Sequence, residues 1–346
     1  NRREEKVGTD IGLKLSAVFD RIVAQISLDN HAKAQRLRGA LGADVAFRKT
    51  PDGKTLALVN FNKSRFHVGD TLFMVHPSTV LYSKNHLEVH DFAISSGSQL
   101  VLVSGTGSDN ANDSLTAHLS NVNVNYILNL VNFHSVEFSG AASGTASVKG
   151  LFASPDVTAA LRVDRFKLIE GRLGTLRANV GWKLSEGQIN IKGVTNDTIQ
   201  GASGLIPSNT FIDGYVSTKH HYIDLGMKLD NTRAEFLGTP CSSFLENVDL
   251  RGNGDLRLWG DLSKLNLTGD IVTDGMMTIK PTGVRYQVNR GKVHFIENEI
   301  QLPGDTIIDE YGNRGLVTGA IHHRHISHIT TDIAAHADHF LAVNTD

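Results

Sequence analysis

The residues best equipped for chemistry lie near the end of the chain, in the run Ile321-His322-His323-Arg324-His325-Ile326-Ser327-His328. Histidines alternating on a strand, or gathered at a tight turn, could bring two or three imidazoles onto one metal ion. No cysteine or carboxylate falls inside the run, and a His-rich tract is only a compositional signal. It reads as a polar hairpin tip, and no metal is assigned to it. The pair His220-His221 takes the same reading. Gly201-Ala202-Ser203-Gly204 lacks the glycine spacing and strand-to-helix turn of a nucleophile elbow, and Gly105-Thr106-Gly107 lacks the third glycine and helix of a dinucleotide site. Aspartates and glutamates are scattered over tips and outward positions. With one cysteine, Cys241, neither an internal disulfide nor a Cys-rich metal site can form. The expectation is a protein that is not an enzyme and takes no cofactor.

Composition points to another kind of function. The 346 residues include 33 Gly but 7 Pro, and aromatics are 7% against 40% apolar residues overall. Apolar residues mostly alternate with Thr, Ser, Asn and Asp, the pattern of strands with one apolar face. The net charge is −2 and no basic stripe stands out, which argues against a nucleic-acid partner. No apolar run approaches the roughly 20 residues that span a bilayer as a helix. The chain opens at Asn1 in a charged run without Met and reads as an excised piece of something longer.

The elements that must position any site are strands and turns. Gly144 to Val163 reads as a strand (Ala146, Val148), a glycine exit at Gly150, a tip with Pro155, and a return strand (Val157, Leu161, Val163). Gly254, Leu256, Leu258, Gly260, Leu267, Thr268 and Ile271 recur at the spacings of Gly144, Ala146, Val148, Gly150, Val157, Thr158 and Leu161. A return strand of the form apolar-Thr-x-x-apolar occurs at Leu115–Leu119, Val157–Leu161, Leu267–Ile271 and Ile329–Ile333, after Gly105, Gly150, Gly260 and Gly319. Pro51-Asp52-Gly53 marks a hairpin. Phe66 to Val75 reads as one strand, Tyr286 to Val288 and Lys292 to Ile296 as two, and Asn196 to Lys219 as a less regular stretch. Thr9 to Leu28 reads as strand, with Val18 to Ile26 open to either a strand or a short helix. His31 to Leu37 reads as a helical turn or linker. Val122 to Phe133 reads as a short helix with Tyr126, Ile127, Leu130 and Val131 on one face, and Arg233 to Leu237 as a helical turn.

With these stretches in view, the chain resembles the TamB branch of the AsmA-like proteins of Gram-negative envelopes. The likeness rests on Ser139–Ala146 through Pro155–Ala159, on Gly171-Arg172-Leu173-Gly174-Thr175-Leu176, and on Asp309-Glu310-Tyr311-Gly312-Asn313-Arg314-Gly315-Leu316-Val317-Thr318-Gly319. Val75-His76-Pro77-Ser78 and Asp113-Ser114-Leu115 add to it. The resemblance implies a mainly β fold: a long, serially extended antiparallel sheet curled into an elongated, apolar-lined groove, with a few short helices. It implies a periplasmic protein anchored to the inner membrane through a segment absent from this chain. The partners implied are phospholipid acyl chains and, through other parts of the full protein, an outer-membrane barrel.

On this reading residues 1–40 begin the fragment, and 41–135, 136–245 and 246–346 are three groove sections. Alternation then names the wall: Val148, Val157, Leu161 and Val163 in one copy of the hairpin, Leu256, Leu258, Leu267 and Ile271 in the other. Leu100, Leu102, Leu115, Leu119, Val317, Ile321, Ile329 and Ile333 continue it. The same residues could instead pack together as a closed sandwich. Two other functions compete with lipid conduction: a scaffold receiving client outer-membrane strands by β-augmentation, and a parallel β-helix acting on polysaccharide, for which neither coils of about 20 to 30 residues nor a carboxylate cluster is seen.

Overall fold

Alternating sequence makes strands, and almost every segment is one. The structure, a computed structural model, describes residues 10–18, 21–29, 37–51, 53–130, 137–201, 203–239, 241–325 and 327–343. Phe19, Asp52, the stretch 31–36, the helical expectation beyond Leu130 (including Val131), Ala202 and Ile326 lie outside these residues. Twenty-two strands belong to one antiparallel sheet, so the fold is mainly β, with one short α-helix and one 3-10 turn among the described residues.

The chain divides into two compact units, one of residues 1–122, 142–160 and 183–185, the other of the remainder. In the first, β1 (Asp10–Val18), β2 (Arg21–Asp29) and β3 (Leu37–Lys49) form a meander. The expected hairpin at Pro51–Gly53 joins β3 to β4 (Thr55–Phe61). β4 continues as β5 (Ser64–Val68) after a break at Asn62-Lys63, and both lie along β3. The expected single strand Phe66–Val75 is divided: Gly69-Asp70 turns the chain from β5 into β6 (Thr71–Val75). His76-Pro77 interrupts the next row between β6 and β7 (Ser78–Ser83), because proline has no N–H for the ladder. β8 (His86–Ser96), β9 (Gln99–Ser108) and β10 (Ser114–Asn123) extend the meander.

Helix α1 (Val124–Leu130) follows, then β11 (Phe138–Lys149), β12 (Asp156–Leu168) and β13 (Gly171–Lys183). The second unit carries an unbroken ladder: β14 (Gln188–Gly201), β15 (Gly204–Ser217), β16 (Tyr222–Arg233), β17 (Leu245–Asp261), β18 (Lys264–Ile279), β19 (Val284–Ile296), β20 (Glu299–Ile308), β21 (Arg314–Arg324) and β22 (Ser327–Ala337). Far from being irregular, β14 and β15 pair from Gln188↔Ser217 to Gly201↔Gly204 without a register shift. Pro207 fits there because β16 pairs with β15 only from Asn209 onward, which leaves Pro207 on an edge. The expected helical turn forms at Glu235–Leu237.

The two copies of the repeated hairpin do not close alike. Gly150 begins a six-residue tip between Lys149 and Asp156, whereas Gly260 sits inside a strand that turns at Leu262-Ser263 with Asp261↔Lys264 as the last pair. Nor do the marker glycines hold equivalent places: Gly105 faces Leu115, Gly260 faces Leu265, and Gly319 faces Ile333. What recurs is a strand glycine at positive φ opposite Leu or Ile. In the β17–β18 pair, Gly254 (φ 145°) faces Ile271 and Gly269 (φ 134°) faces Leu256. A Cβ on Gly254 would stand 2.2 Å from the Asp270 carbonyl oxygen, and one on Gly269 2.1 Å from that of Asp255. Such kinks bend a strand locally. Gly214↔Leu225, Gly275↔Leu250 and Gly319↔Ile333 repeat the pairing.

β-Bulges keep the faces in phase. In β19, Gly291 opposes Thr273 and Val288 opposes Gly275, so Val293 and Val288, of opposite sequence parity, reach the same face. That slip is why this one strand reads as two in sequence. Replacing Gly269 by Val should therefore cost about 1–3 kcal/mol of backbone strain and lower the thermal midpoint. Gly181→Ala, whose new Cβ meets nothing within 4 Å, should stay within about 0.5 kcal/mol; calorimetry of the two variants checks the contrast.

Candidate functional site

Residues directly paired across strands share a face, so the registers assemble the site row by row. In the second unit one row runs Ile212↔Met227↔Leu256↔Gly269↔Phe295↔Ile300↔Ile321. Flanking rows hold Leu225↔Leu258↔Leu267 and Leu229↔Gly254↔Ile271↔Val293. One residue along, on the opposite face, the row reads Phe211↔Lys228↔Asp255↔Asp270↔His294↔Gln301↔Ala320↔Asp332. This row of the ladder is apolar over seven strands, and the row behind it is mostly charged and polar.

The first unit has the same construction. Its row runs Val45↔Val59↔Val80↔Val89↔Gly105↔Leu115, and Leu13↔Ile26↔Leu41 begins a neighbouring one. At β1 this face is open: Leu13 and Leu15 are 58% and 59% exposed.

Most of the expected wall residues fall on these faces. Leu256, Leu258, Leu267, Ile271, Val317, Ile321 and Ile333 share the apolar face of the second unit. Leu115 and Leu119 share that of the first. Val157, Leu161 and Val163 alternate inward along β12; Val148 and Ile329 are half-buried. Leu100 and Leu102 are the correction: they pair with Ser120 and His118, on the face opposite Leu115 and Leu119, and Val101 and Val103 take their place. Leu100-Val101-Leu102-Val103 is apolar at every position, so the run itself carries no parity. Ile212, Leu225, Met227, Val293, Phe295 and Ile300 lie on the same apolar face beside the expected residues. Each strand carries the alternation that marks them, and only the register joins them.

Within the second unit the face is covered at both strand ends and half-open between. At one end Ile189, Val216, Ile223 and Leu265 form a buried cluster against Leu128 of α1, Phe138 and Trp182. At the other, Leu250, Val284, Tyr286, Val288 and Ile307 pack with Met277, Phe340 and Leu341. Between them Leu225, Met227, Leu256, Leu258, Leu267 and Ile271 are half-buried.

Where the face turns polar, opposite charges and hydroxyls meet one another within it. The Asp197 carboxylate, whose side chain is 5% exposed, meets Arg172 Nη2 at 2.6 Å and Arg233 Nε at 3.5 Å, while Arg233 Nη1 donates to Glu235 at 2.7 Å. Beside it the Thr210 and Thr232 hydroxyls are 2.9 Å apart, and Thr210 N donates to Thr195 Oγ1. The motif Gly171–Leu176 serves this corner: a Cβ on Gly171 would strike the Phe236 backbone, and one on Gly174 the Asn196 carbonyl. On the polar face Arg257 makes two 2.7 Å bonds to Asp224 and lies 5.8 Å over the Trp259 ring. The hydrogen bond from that guanidinium holds the Asp224 carboxyl below its usual range, against a smaller upward push from burial.

The histidine run is not confined to a tip: Ile321–Arg324 end β21, Ser327 and His328 begin β22, and His325 lies between the two strands. His325 N donates to Asn298 Oδ1 and its ring lies 3.2 Å from Asn266 Oδ1. Burial, and after it His325, lower the His323 pKa and favour a neutral ring. Among the described residues no group of three or more His, Cys, Asp or Glu is placed to hold a metal ion. Burial raises the pKa of the Cys241 thiol.

Family models, curated proteins and solved structures were compared with the chain. None matches.

The Asp309–Gly319 motif builds a latch at the covered end. Asp309 is 5% exposed; its Oδ1 accepts from Tyr311 N and Asn313 N, and its Oδ2 from Asn313 Nδ2 and, at 2.9 Å, Leu341 N. Burial pushes its pKa up, but the bonds from Leu341, Asn313 and Tyr311 together outweigh this and leave it below the ordinary value. A lowered carboxylate pKa stabilises fully above the unfolded value of about 3.9, and that stabilisation is lost as pH falls through the folded value. The Leu341 amide should therefore stay protected down to about pH 4 and lose protection below it. In Asp309→Asn, protection should already be lost at neutral pH and acid should add little. NMR of that amide across pH reads both.

Proposed function

We propose that this chain is a periplasmic section of a TamB-like envelope protein, and that its apolar sheet face conducts phospholipid between inner and outer membranes. The observation that carries the reading is the run of directly paired apolar positions from Ile212 to Ile321, backed by a polar row one residue away. Conduction of this kind needs no catalytic group. An acyl chain in water costs about 25 cal/mol per Å² of exposed apolar area, and a continuous apolar wall removes that cost at every step. Rows of aliphatic side chains bind hydrocarbon without directional bonds, so a chain can slide from one row to the next. The polar face keeps the opposite side of the same sheet in water.

A second reading, a scaffold for outer-membrane strands, draws on one observation: β22 pairs with β21 among the described residues and its residues are largely exposed, as a strand-accepting edge requires. Crosslinking from Leu258 separates the two, since recovery of protein clients without lipid favours the scaffold.

Lipid mass spectrometry of the purified protein tests conduction. Phospholipid should co-purify with the native chain and fall several-fold in Leu258→Asp, which sets a carboxylate between Leu225 and Leu267. Thr268→Asp, on the polar face opposite Arg257, should leave it unchanged. Equal lipid in all three proteins overturns the reading.

A further inference from the structure

One end of the apolar face of the second unit already has an occupant. After β22 the chain leaves the sheet and returns across the face as the irregular stretch Asp338–Val343. The Phe340 ring stacks on Tyr286, with centroids 5.2 Å apart and planes 2° from parallel. Gly315 makes room for it, since a Cβ there would stand 3.2 Å from the Phe340 ring. Two polar contacts pin the next residue from opposite sides: Tyr286 Oη donates to the Leu341 carbonyl at 3.0 Å, and Leu341 N donates to Asp309 Oδ2 at 2.9 Å.

We propose that Asp338–Val343 is a displaceable strap, in which Phe340 and Leu341 take the place of hydrocarbon on the apolar face over Tyr286 and Ile307, and which a bound acyl chain must lift. The proposal rests on the lipid reading above. Its physical basis is an asymmetry of attachment. Tyr286 and Ile307 are held in paired strands, whereas the strap adds no strand to the ladder and is held by the Phe340 ring stack, the two hydrogen bonds at Leu341 and the packing of these two side chains on the cluster. A segment so held opens at lower free energy than the sheet beneath it. A face occupied by its own chain binds ligand with an affinity reduced by the fraction of time it is free.

The test uses the full chain and the fluorescent fatty acid cis-parinaric acid. Saturating probe should speed hydrogen exchange at Leu341 while leaving the amides of β19 protected. Phe340→Ala should bind the probe up to about tenfold more tightly if the strap is closed nine-tenths of the time. Tyr286→Phe, which keeps the ring and removes one latch, should fall between and guards against a folding defect in the alanine variant. If the probe binds but neither Leu341 exchange nor the affinity of either variant changes, the strap is overturned and the lipid reading stands. If neither the native chain nor Phe340→Ala binds the probe, the lipid reading fails and the strap, having nothing to admit, falls with it.

Discussion

A sheet that is apolar on one side and charged on the other has to shelter the apolar side from water. Everything distinctive here answers that requirement. Glycine opposite Leu or Ile, as at Gly254↔Ile271 and Gly269↔Leu256, lets the strand kink inward at a point where any side chain would strike the facing carbonyl. The larger partner then fills the space the glycine leaves. Small strand residues thus act less as weak points than as bends, and the bulky residue across the ladder is what makes each bend favourable to bury.

Bulges answer the same requirement along the strand. A long strand in strict alternation drifts out of step once a residue is inserted, and its apolar set turns to water. In β19 the insertion near Arg290, itself at positive φ, restores the phase, so that Val284, Tyr286 and Val288 join Val293 and Phe295 on one side. The shift between Leu302 and Asp305 does the same for Ile300 and Ile307. The ends of the face are then closed, at one end by Leu128 of α1 together with Phe138 and Trp182, and at the other by Phe340 and Leu341 of the irregular stretch after β22. The middle rows stay half-open.

A site of this kind is a surface, and no single residue carries it. That fits the scatter of carboxylates and histidines, whose partners are local. Asp197 is held by Arg172 and Arg233, Asp309 by the backbone of its own turn and of Leu341, and His325 by Asn266 and Asn298. Motifs that look functional in sequence, Gly171–Leu176 and Asp309–Gly319, turn out to fasten corners of the sheet. Their chemistry is that of close backbone approach and of a buried carboxylate saturated with donors.

The sequence by itself determined that the chain is a succession of antiparallel strands and which residues of a given strand point the same way, because side-chain alternation is a local property of the pleat. It also marked the turn at Pro51–Gly53, the break at Pro77 and the short helix after Asn123. The pairing between strands was left to the tertiary structure. Leu100 and Leu102 went to the wrong face because an all-apolar run has no parity until a neighbour supplies one. The stretch from Asn196 to Lys219 reads as irregular because Pro207 and its glycines weaken local propensity, yet β14 supplies a partner for each position from Gly204 to Ser217. Equal spacing in the two copied hairpins produced different turns, since a tip is shaped by what it lands on: Leu262 N reaches the His221 carbonyl, whereas Phe152 N reaches Ser108. Register, bulge phase and the segments that cross the face are long-range choices, made by contacts between residues far apart in the chain.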